Sequence, residues 1–352
     1  MKGAMIARSP ADGQGKDAGE PWQRALQTVI GDVDELLAIL GLARRDVDID
    51  IDDDDDDGQA FALRVPRAFV ARMQPGRADD PLLRQVLPLR AERLPLPGFS
   101  CDPLAEAQAM RQPGLLHKFH GRVLLLVSGH CPIHCRYCFR RHFPYAATQP
   151  ARGDWQRVFD GIAGDPSISE VILSGGDPLS LPDRQLQWLI DGLAAIPQLR
   201  RLRLHSRLPV LIPQRVTARL VQLLADCRLP VSLVIHANHA QELDEAVAAA
   251  LAPLRRAGVT LLNQSVLLAG VNDRLDSLCA LSERLYAIGV LPYYLHLLDR
   301  VAGAGHFAVA DERVHELHAG LLARLPGYLV PRLVREVAQA PSKVPLPLVA
   351  AG

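Results

Sequence analysis

A surplus of charge of either sign is the first thing this chain lacks. Its 352 residues carry 39 Lys+Arg against 39 Asp+Glu, a formal net charge of zero. A general electrostatic nucleic-acid binder carries a basic excess, so no nucleic-acid partner is expected. Long apolar runs are also missing. The longest, such as Val123–Val127, fall far short of the roughly 20 residues that cross a bilayer, so no membrane partner is expected. Met1–Pro10 holds two basic residues but no long apolar core, and no secretory signal is expected. No internal repeat is evident. Lysine is scarce in this Arg-rich chain, with only Lys2, Lys16, Lys118 and Lys343. Cysteine is limited to Cys101, Cys131, Cys135, Cys138, Cys227 and Cys279, and three of the six fall within eight residues. A disulfide framework would spread them along a small secreted chain. The clumping points to a cytoplasmic protein with one metal-binding triplet and three ordinary buried thiols.

What remains is the balance of a globular chain, 49% hydrophobic and 22% charged. Its length suits two to three domains or one large one. Trp22–Leu42 predicts a helix, with Leu26, Ile30, Leu36, Leu37 and Leu40 on one stripe. The acidic stretch Asp46–Asp57 contains six consecutive aspartates, which repel and predict a solvated loop. Phe61–Gly98 reads as a helical wrapping layer. From Arg122 the pattern changes. Short β-branched runs at Arg122–Val127, Glu170–Leu173, Arg201–His205, Val231–His236, Thr260–Ser265 and Tyr293–Leu297 predict strands. Helical stretches between them include Arg184–Ala195, Val216–Asp226, Glu242–Ala257 and Leu275–Ile288. Six β/α units in tandem predict an α/β fold with a parallel sheet, an open and incomplete barrel. Polar and Gly-rich residues cluster where each strand ends, the face that carries chemistry in such barrels.

The first of those strand ends leads into Cys131-Pro-Ile-His-Cys135-Arg-Tyr-Cys138. Three thiolates this close suit one soft metal centre. Structural zinc takes four ligands, and a Cys3His site could draw on His130, His134 or His142. An iron–sulfur cluster is also held by thiolates, normally four, and three would leave one iron open. Downstream, Ser174-Gly175-Gly176-Asp177 ends the second strand, where glycines let the backbone approach a ligand closely. His205-Ser-Arg207 ends the third.

The C-x3-C-x2-C triplet with Tyr137 resembles the signature of radical S-adenosylmethionine (SAM) enzymes. Together, SGHCPIHCRYCFRR, SGGDPL, HSRLPV, LNQSVLLAGVND, PYYLHLLDRVAGAGHF and APSKVPL resemble the lysine 2,3-aminomutase family over roughly Phe61 to the C-terminus. The likeness is closest to its short bacterial branch, which serves β-lysylation of elongation factor P. LRVPRAF followed by DPLLRQVLP, and a chain ending soon after the near-terminal lysine, carry that likeness.

The resemblance implies a partial (β/α)6 barrel of the radical SAM type. Residues 1–60 would form an N-terminal helix and acidic segment, 61–115 the wrapping region, 116–310 the barrel core, and 311–352 a C-terminal helix with the lysine segment. It implies a [4Fe–4S] cluster on Cys131, Cys135 and Cys138. Ser174, Gly175, Gly176, Asp177, His205 and Arg207 would hold SAM. Lys343 would be the pyridoxal phosphate (PLP) lysine, with Lys118 and Arg122 contacting that cofactor. Arg140 would grip the substrate α-carboxylate, and Asp299 and Glu336 its distal ammonium. The implied reaction moves the amino group of L-lysine from C2 to C3. The implied partners are elongation factor P, its lysyl-transferring ligase and an external electron donor, with a homo-oligomeric assembly. Two other readings stay open: the same chemistry on another amino acid, and a zinc-stabilised interaction protein without catalysis.

Overall fold

The computed structural model describes residues 20–49, 61–148, 150 and 154–346. The Gly- and Ala-rich start and the consecutive aspartates fall outside them. Ten strands form one sheet in chain order: β1 (Met110–Gln112), β2 (Leu115–Phe119), β3 (Arg122–Ser128), β4 (Glu170–Gly175), β5 (Arg201–Ser206), β6 (Val231–Ile235), β7 (Thr260–Val266), β8 (Leu291–His296), β9 (Arg332–Arg335) and β10 (Val344–Pro345). From β3 to β9 every neighbouring pair is parallel. The chain therefore crosses over six times, through helices Trp155–Ala163, Asp183–Ala194, Ala218–Ala225, Glu245–Arg256, Leu275–Ala287 and Asp311–Arg324. These are the six expected β/α units. The seventh parallel strand, β9, escapes sequence reading because Arg-Leu-Val-Arg is four residues long and charged at both ends. β1 and β2 flank one edge and β10 the other, all antiparallel.

The sheet curls until its edges meet. Lys118 on β2 pairs with Glu336, which follows β9, and Gln339 Nε2 donates to Gln108 Oε1 at 2.8 Å. Strand periodicity then sorts the side chains, since alternate residues face opposite ways. Leu116 and Lys118, Leu124, Ile172 and Ser174, Arg203 and His205, Gln264 and Val266, Tyr294 and His296, and Val334 line the interior cavity. Intervening residues such as Leu125, Leu173, Leu202, Leu204 and Leu233 pack in the main hydrophobic core. β4 is buried along its whole length, as a central parallel strand covered on both faces should be.

The N-terminal segments differ from the sequence expectation. Trp22–Leu42 is two short helices, Pro21–Gln27 and Val33–Ile39. Between them Ile30 makes a two-bond bridge to Val65, and Asp32 caps the second helix by accepting from Glu35 N at 2.8 Å. The β-branched Thr28-Val29-Ile30 run and Gly31 favour that break. The expected stripe residues Ile30, Leu36, Leu37 and Leu40 are nonetheless buried. Residues 61–98 wrap the barrel as turns and one-turn helices, not as a helical layer; the α-helix there is Arg67–Val70. Six prolines in 38 residues deny longer helices their N–H donors. Of the three thiols expected to be buried, Cys279 is, Cys227 is partly so, and Cys101 is exposed.

Candidate active site

The barrel encloses a cavity of about 460 Å3 that opens at the carboxyl ends of the parallel strands. All fifteen site residues read from the sequence line it: the three cysteines, Arg140, Ser174, Gly175, Gly176, Asp177, His205, Arg207, Lys118, Arg122, Asp299, Glu336 and Lys343. They arrive from eight separate segments: most lie at or after the carboxyl ends of β3, β4, β5, β8 and β9, whereas Lys118 lies on antiparallel β2 and Arg122 begins β3.

Cys131, Cys135 and Cys138 are free thiols on the loop after β3. Burial pushes the Cys131 thiol well up and the Cys138 thiol to about 12. Such thiols need a metal centre to stay deprotonated. Among the described residues no three His, Cys, Asp or Glu side chains converge on a single-ion site. His134 Nδ1 faces Ala62 O at 2.8 Å, and His142 Nε2 faces Ala302 O at 3.1 Å. A cuboidal cluster asks less convergence, since each thiolate binds a different iron. The all-sulfur donor set fits it.

The turn after β4 is built against that loop. Gly175 has φ +122°, and a Cβ there would lie 2.3 Å from Ser128 O. A Cβ on Gly176 would lie 2.4 Å from His130 O. The glycines are thus required by the close approach of the cysteine loop itself. Asp177 works inside the protein as well. Its carboxylate accepts from Leu179 N, Ser206 Oγ, Arg207 N and Leu208 N at 2.7–3.0 Å, tying the β4 and β5 turns together. Burial lifts its pKa to about 6 against those bonds.

Arg140 is buried, and its two-donor edge is engaged. Nε and Nη2 donate to Glu106 Oε2 and Oε1 at 2.7 and 2.8 Å. Nη1 donates to Ser174 Oγ and Gly175 O, each at 3.2 Å. Burial alone would lower the Arg140 pKa; the Glu106 carboxylate overrides it and raises it. Glu106 is a site residue that sequence reasoning missed, because nothing in Glu-Ala-Gln-Ala marks it and its partner lies 34 residues away.

Opposite the thiols, β10 pairs with β9 and holds Lys343 in the cavity. Lys343 Nζ donates to Glu336 Oε2 at 2.5 Å and lies 5.6 Å from the centre of the Tyr294 ring. Lys118 takes the other Glu336 oxygen. Burial pushes the Glu336 carboxyl up, but the two ammoniums outweigh it and hold it at about 2. Asp299 is different: among the described residues its carboxylate makes no side-chain hydrogen bond or ion pair. Burial and the nearby Glu336 raise its pKa to about 7. Two histidines at the carboxyl ends of β5 and β8 also line the cavity. His205 Nε2 and His296 Nε2 are buried with no partner, and burial drives both rings well below the ordinary pKa. His205 was read from the sequence. His296, His236 and Gln264 were not, although period-2 alternation could have placed His296 and Gln264 inside the barrel. A lysine amine, two unpartnered imidazoles and the basic Lys118 and Arg122 suit a polar, phosphate-bearing cofactor such as PLP.

Among the described residues no helix is long and apolar enough to cross a membrane. No protein-family model matches the chain. It is 51% identical over 329 residues to the L-lysine 2,3-aminomutase of Escherichia coli (strain K12), covering 94% of this chain and 95% of that one. The L-lysine 2,3-aminomutase of Haemophilus influenzae is 46% identical, covering 92% of this chain and 94% of its own. That of Clostridium subterminale is 33% identical, covering 92% of this chain and 77% of its own. Among solved structures, a radical SAM methyltransferase from Sphaerobacter thermophilus aligns with a TM-score of 0.40 at 16% identity, over 63% of this chain and 68% of that one. The chain belongs to the L-lysine 2,3-aminomutase family, a family of isomerases.

Proposed function

We propose that this chain converts L-lysine to β-lysine with a [4Fe–4S] cluster on Cys131, Cys135 and Cys138, SAM, and PLP on Lys343, and that the product serves β-lysylation of elongation factor P. One observation carries the catalytic part: a single cavity holds the thiol triplet, Lys343 and the unpaired carboxylate of Asp299. When bound, these groups supply a carbon radical that removes hydrogen from C3 and a π system across which the nitrogen moves.

The chain's own residues position and exclude. Asp299 presents a carboxylate without an internal partner, the natural counter-ion for a distal ammonium. Glu336 adds a second carboxylate, and the pair would repel a distal carboxylate, which argues against glutamate as substrate. Arg140 supplies a cation for the substrate carboxylate, oriented by Glu106, which already takes its Nε–Nη2 edge. The barrel wall keeps water from the reacting carbon. The elongation factor P role rests on the resemblance of LRVPRAF and DPLLRQVLP to the short bacterial branch of the family.

An anaerobic assay tests this reading. Protein reconstituted with iron and sulfide receives SAM, PLP, dithionite and L-lysine, and products are separated by chiral chromatography. β-Lysine, lost on Cys138→Ala, is the expected result. 5′-Deoxyadenosine without β-lysine would overturn the substrate; neither product from protein with an intact cluster would overturn the activity. Loss of β-lysyl elongation factor P on deleting the gene, read by mass spectrometry, checks the downstream role.

Asp299 gives a pH dependence. Its folded pKa of about 7 lies above the ordinary 3.8, so between about pH 3.8 and about pH 7 the folded protein keeps a proton that the unfolded chain releases. Any stability this group adds is present at low pH and fades as pH rises through about 7. Ammonium binding has the opposite demand, because it needs the carboxylate ionised. The KM for L-lysine should therefore rise several-fold as pH falls from about 8 to about 6. Asp299→Asn should show a high KM and no such rise; a flat wild-type profile would sink the assignment.

A further inference from the structure

Arg207 sits after β5 and was expected at the SAM site. It lines the shared cavity, and its Nη1 donates to Cys135 Sγ at 2.7 Å. Nη2 donates to Glu242 Oε2 at 2.8 Å and Gln85 Oε1 at 2.7 Å. Glu242 is fully buried, and its other oxygen accepts from Asn238 N at 2.8 Å and Gln85 Nε2 at 3.1 Å. Asn238 Nδ2 donates to Gln85 Oε1 at 3.0 Å and to the hydroxyl of Tyr137, inside the cysteine motif, at 2.7 Å. Arg207 N is fixed separately by Asp177. The residue is thus held at its backbone nitrogen and through Nη2, with Nη1 on one sulfur and Nε buried without a hydrogen-bond partner among the described residues. Neither Cys131 nor Cys138 has such a donor among the described residues.

We propose that Glu242 and Gln85 act as a clamp that presents the Arg207 cation to the Cys135 thiolate, and that this clamp sets the reduction potential of the iron–sulfur cluster. This rests on the cluster reading of the cysteine triplet. Reduction adds one electron to the cluster and spreads negative charge onto its thiolates. A charge-assisted N–H···S bond stabilises the reduced form more than the oxidised one, and its effect is large in a buried site. Glu242 opposes it through its own negative charge. The two residues therefore act on the potential with opposite signs. Gln85 gives the wrapping segment a part in the chemistry: it reaches the cluster ligand's partner from 122 residues away in sequence.

The test is an anaerobic potentiometric titration of the full-length reconstituted protein, without SAM, followed by electron paramagnetic resonance of the reduced cluster. Arg207→Gln should lower the reduced-to-oxidised ratio at fixed potential about tenfold, a shift of about 59 mV to lower potential for one electron. Glu242→Gln, which keeps an amide oxygen for Asn238 N, should shift it upward. Iron and sulfide content should match wild type in both. Should Arg207→Gln not retain a cluster, Glu242→Gln carries the test alone, and no upward shift overturns the proposal. Potentials unmoved, or moved in the same direction by both variants, overturn it, as does an Arg207→Gln protein that binds SAM more weakly at an unchanged potential. A wild-type protein that assembles no cluster would overturn the cluster reading itself, and the clamp with it.

Discussion

Lys343→Ala should reduce β-lysine formation to background while leaving the iron–sulfur absorption unchanged. The lysine is the only amine that the C-terminal segment brings into the cavity among the described residues, and β10 pairing with β9 fixes it there. A covalent PLP link needs that amine. Borohydride treatment of the PLP-loaded wild type should leave a stable adduct that peptide mass spectrometry places on Lys343, absent in the variant. The fold should survive the change. Lys118 still pairs with Glu336, so the carboxylate keeps one of its two ammonium partners when Lys343 is removed. An unchanged melting temperature with lost turnover separates a catalytic role from a structural one. Persistent β-lysine formation in Lys343→Ala would remove PLP from the site as drawn.

The second large effect is on stability. Arg140 and Glu106 form a two-bond pair whose side chains are 6% and 4% exposed. Removing one partner leaves the other charge buried without compensation, which costs roughly 3–5 kcal/mol. Glu106→Gln keeps the shape and one acceptor, so a loss near the lower end, about 3 kcal/mol, is expected from urea unfolding of the apoprotein. Arg140→Met should lose a similar amount. Because the two act on one pair, the double variant should lose less than the sum, by about 1–3 kcal/mol. A Glu106→Gln protein within about 0.5 kcal/mol of wild type would mean the pair is solvated in solution. The pair also decides how Arg140 meets a substrate: its fork is already committed, so Glu106 orients the cation and limits which of its donors remain open.

Local rules carried much of the fold. The six parallel strands announced themselves as β-branched runs, and the helices between them as amphipathic stretches. Both signals are local, because a strand buried on two faces and a helix buried on one must show it in consecutive residues. The misreadings fall where the pattern is short or interrupted. Trp22–Leu42 keeps a helical stripe across Gly31, yet the backbone leaves the helix to pair Ile30 with Val65. The proline-rich wrapping segment buries Phe69, Leu82, Leu83 and Val86 without the length that periodicity needs. β9 is too short to register at all.

The chemistry divides in the same way. By itself the sequence carried the resemblance that implies the type of centre, since C-x3-C-x2-C, the strand-end glycines and a solitary near-terminal lysine are patterns of neighbours. It also determined that these groups share a rim, because successive parallel strands must end on the same side. Only the tertiary structure decided what each group touches there. Glu106 on Arg140, Glu242 and Gln85 on Arg207, and Lys118 and Lys343 on Glu336 join segments between 7 and 218 residues apart. The glycines, expected to admit a ligand, also admit the close approach of Ser128 and His130 at the start of the cysteine loop. Contacts of this kind depend on how a curled sheet brings its strand ends together, and a charge that has found its partner is, in sequence, indistinguishable from one that has not.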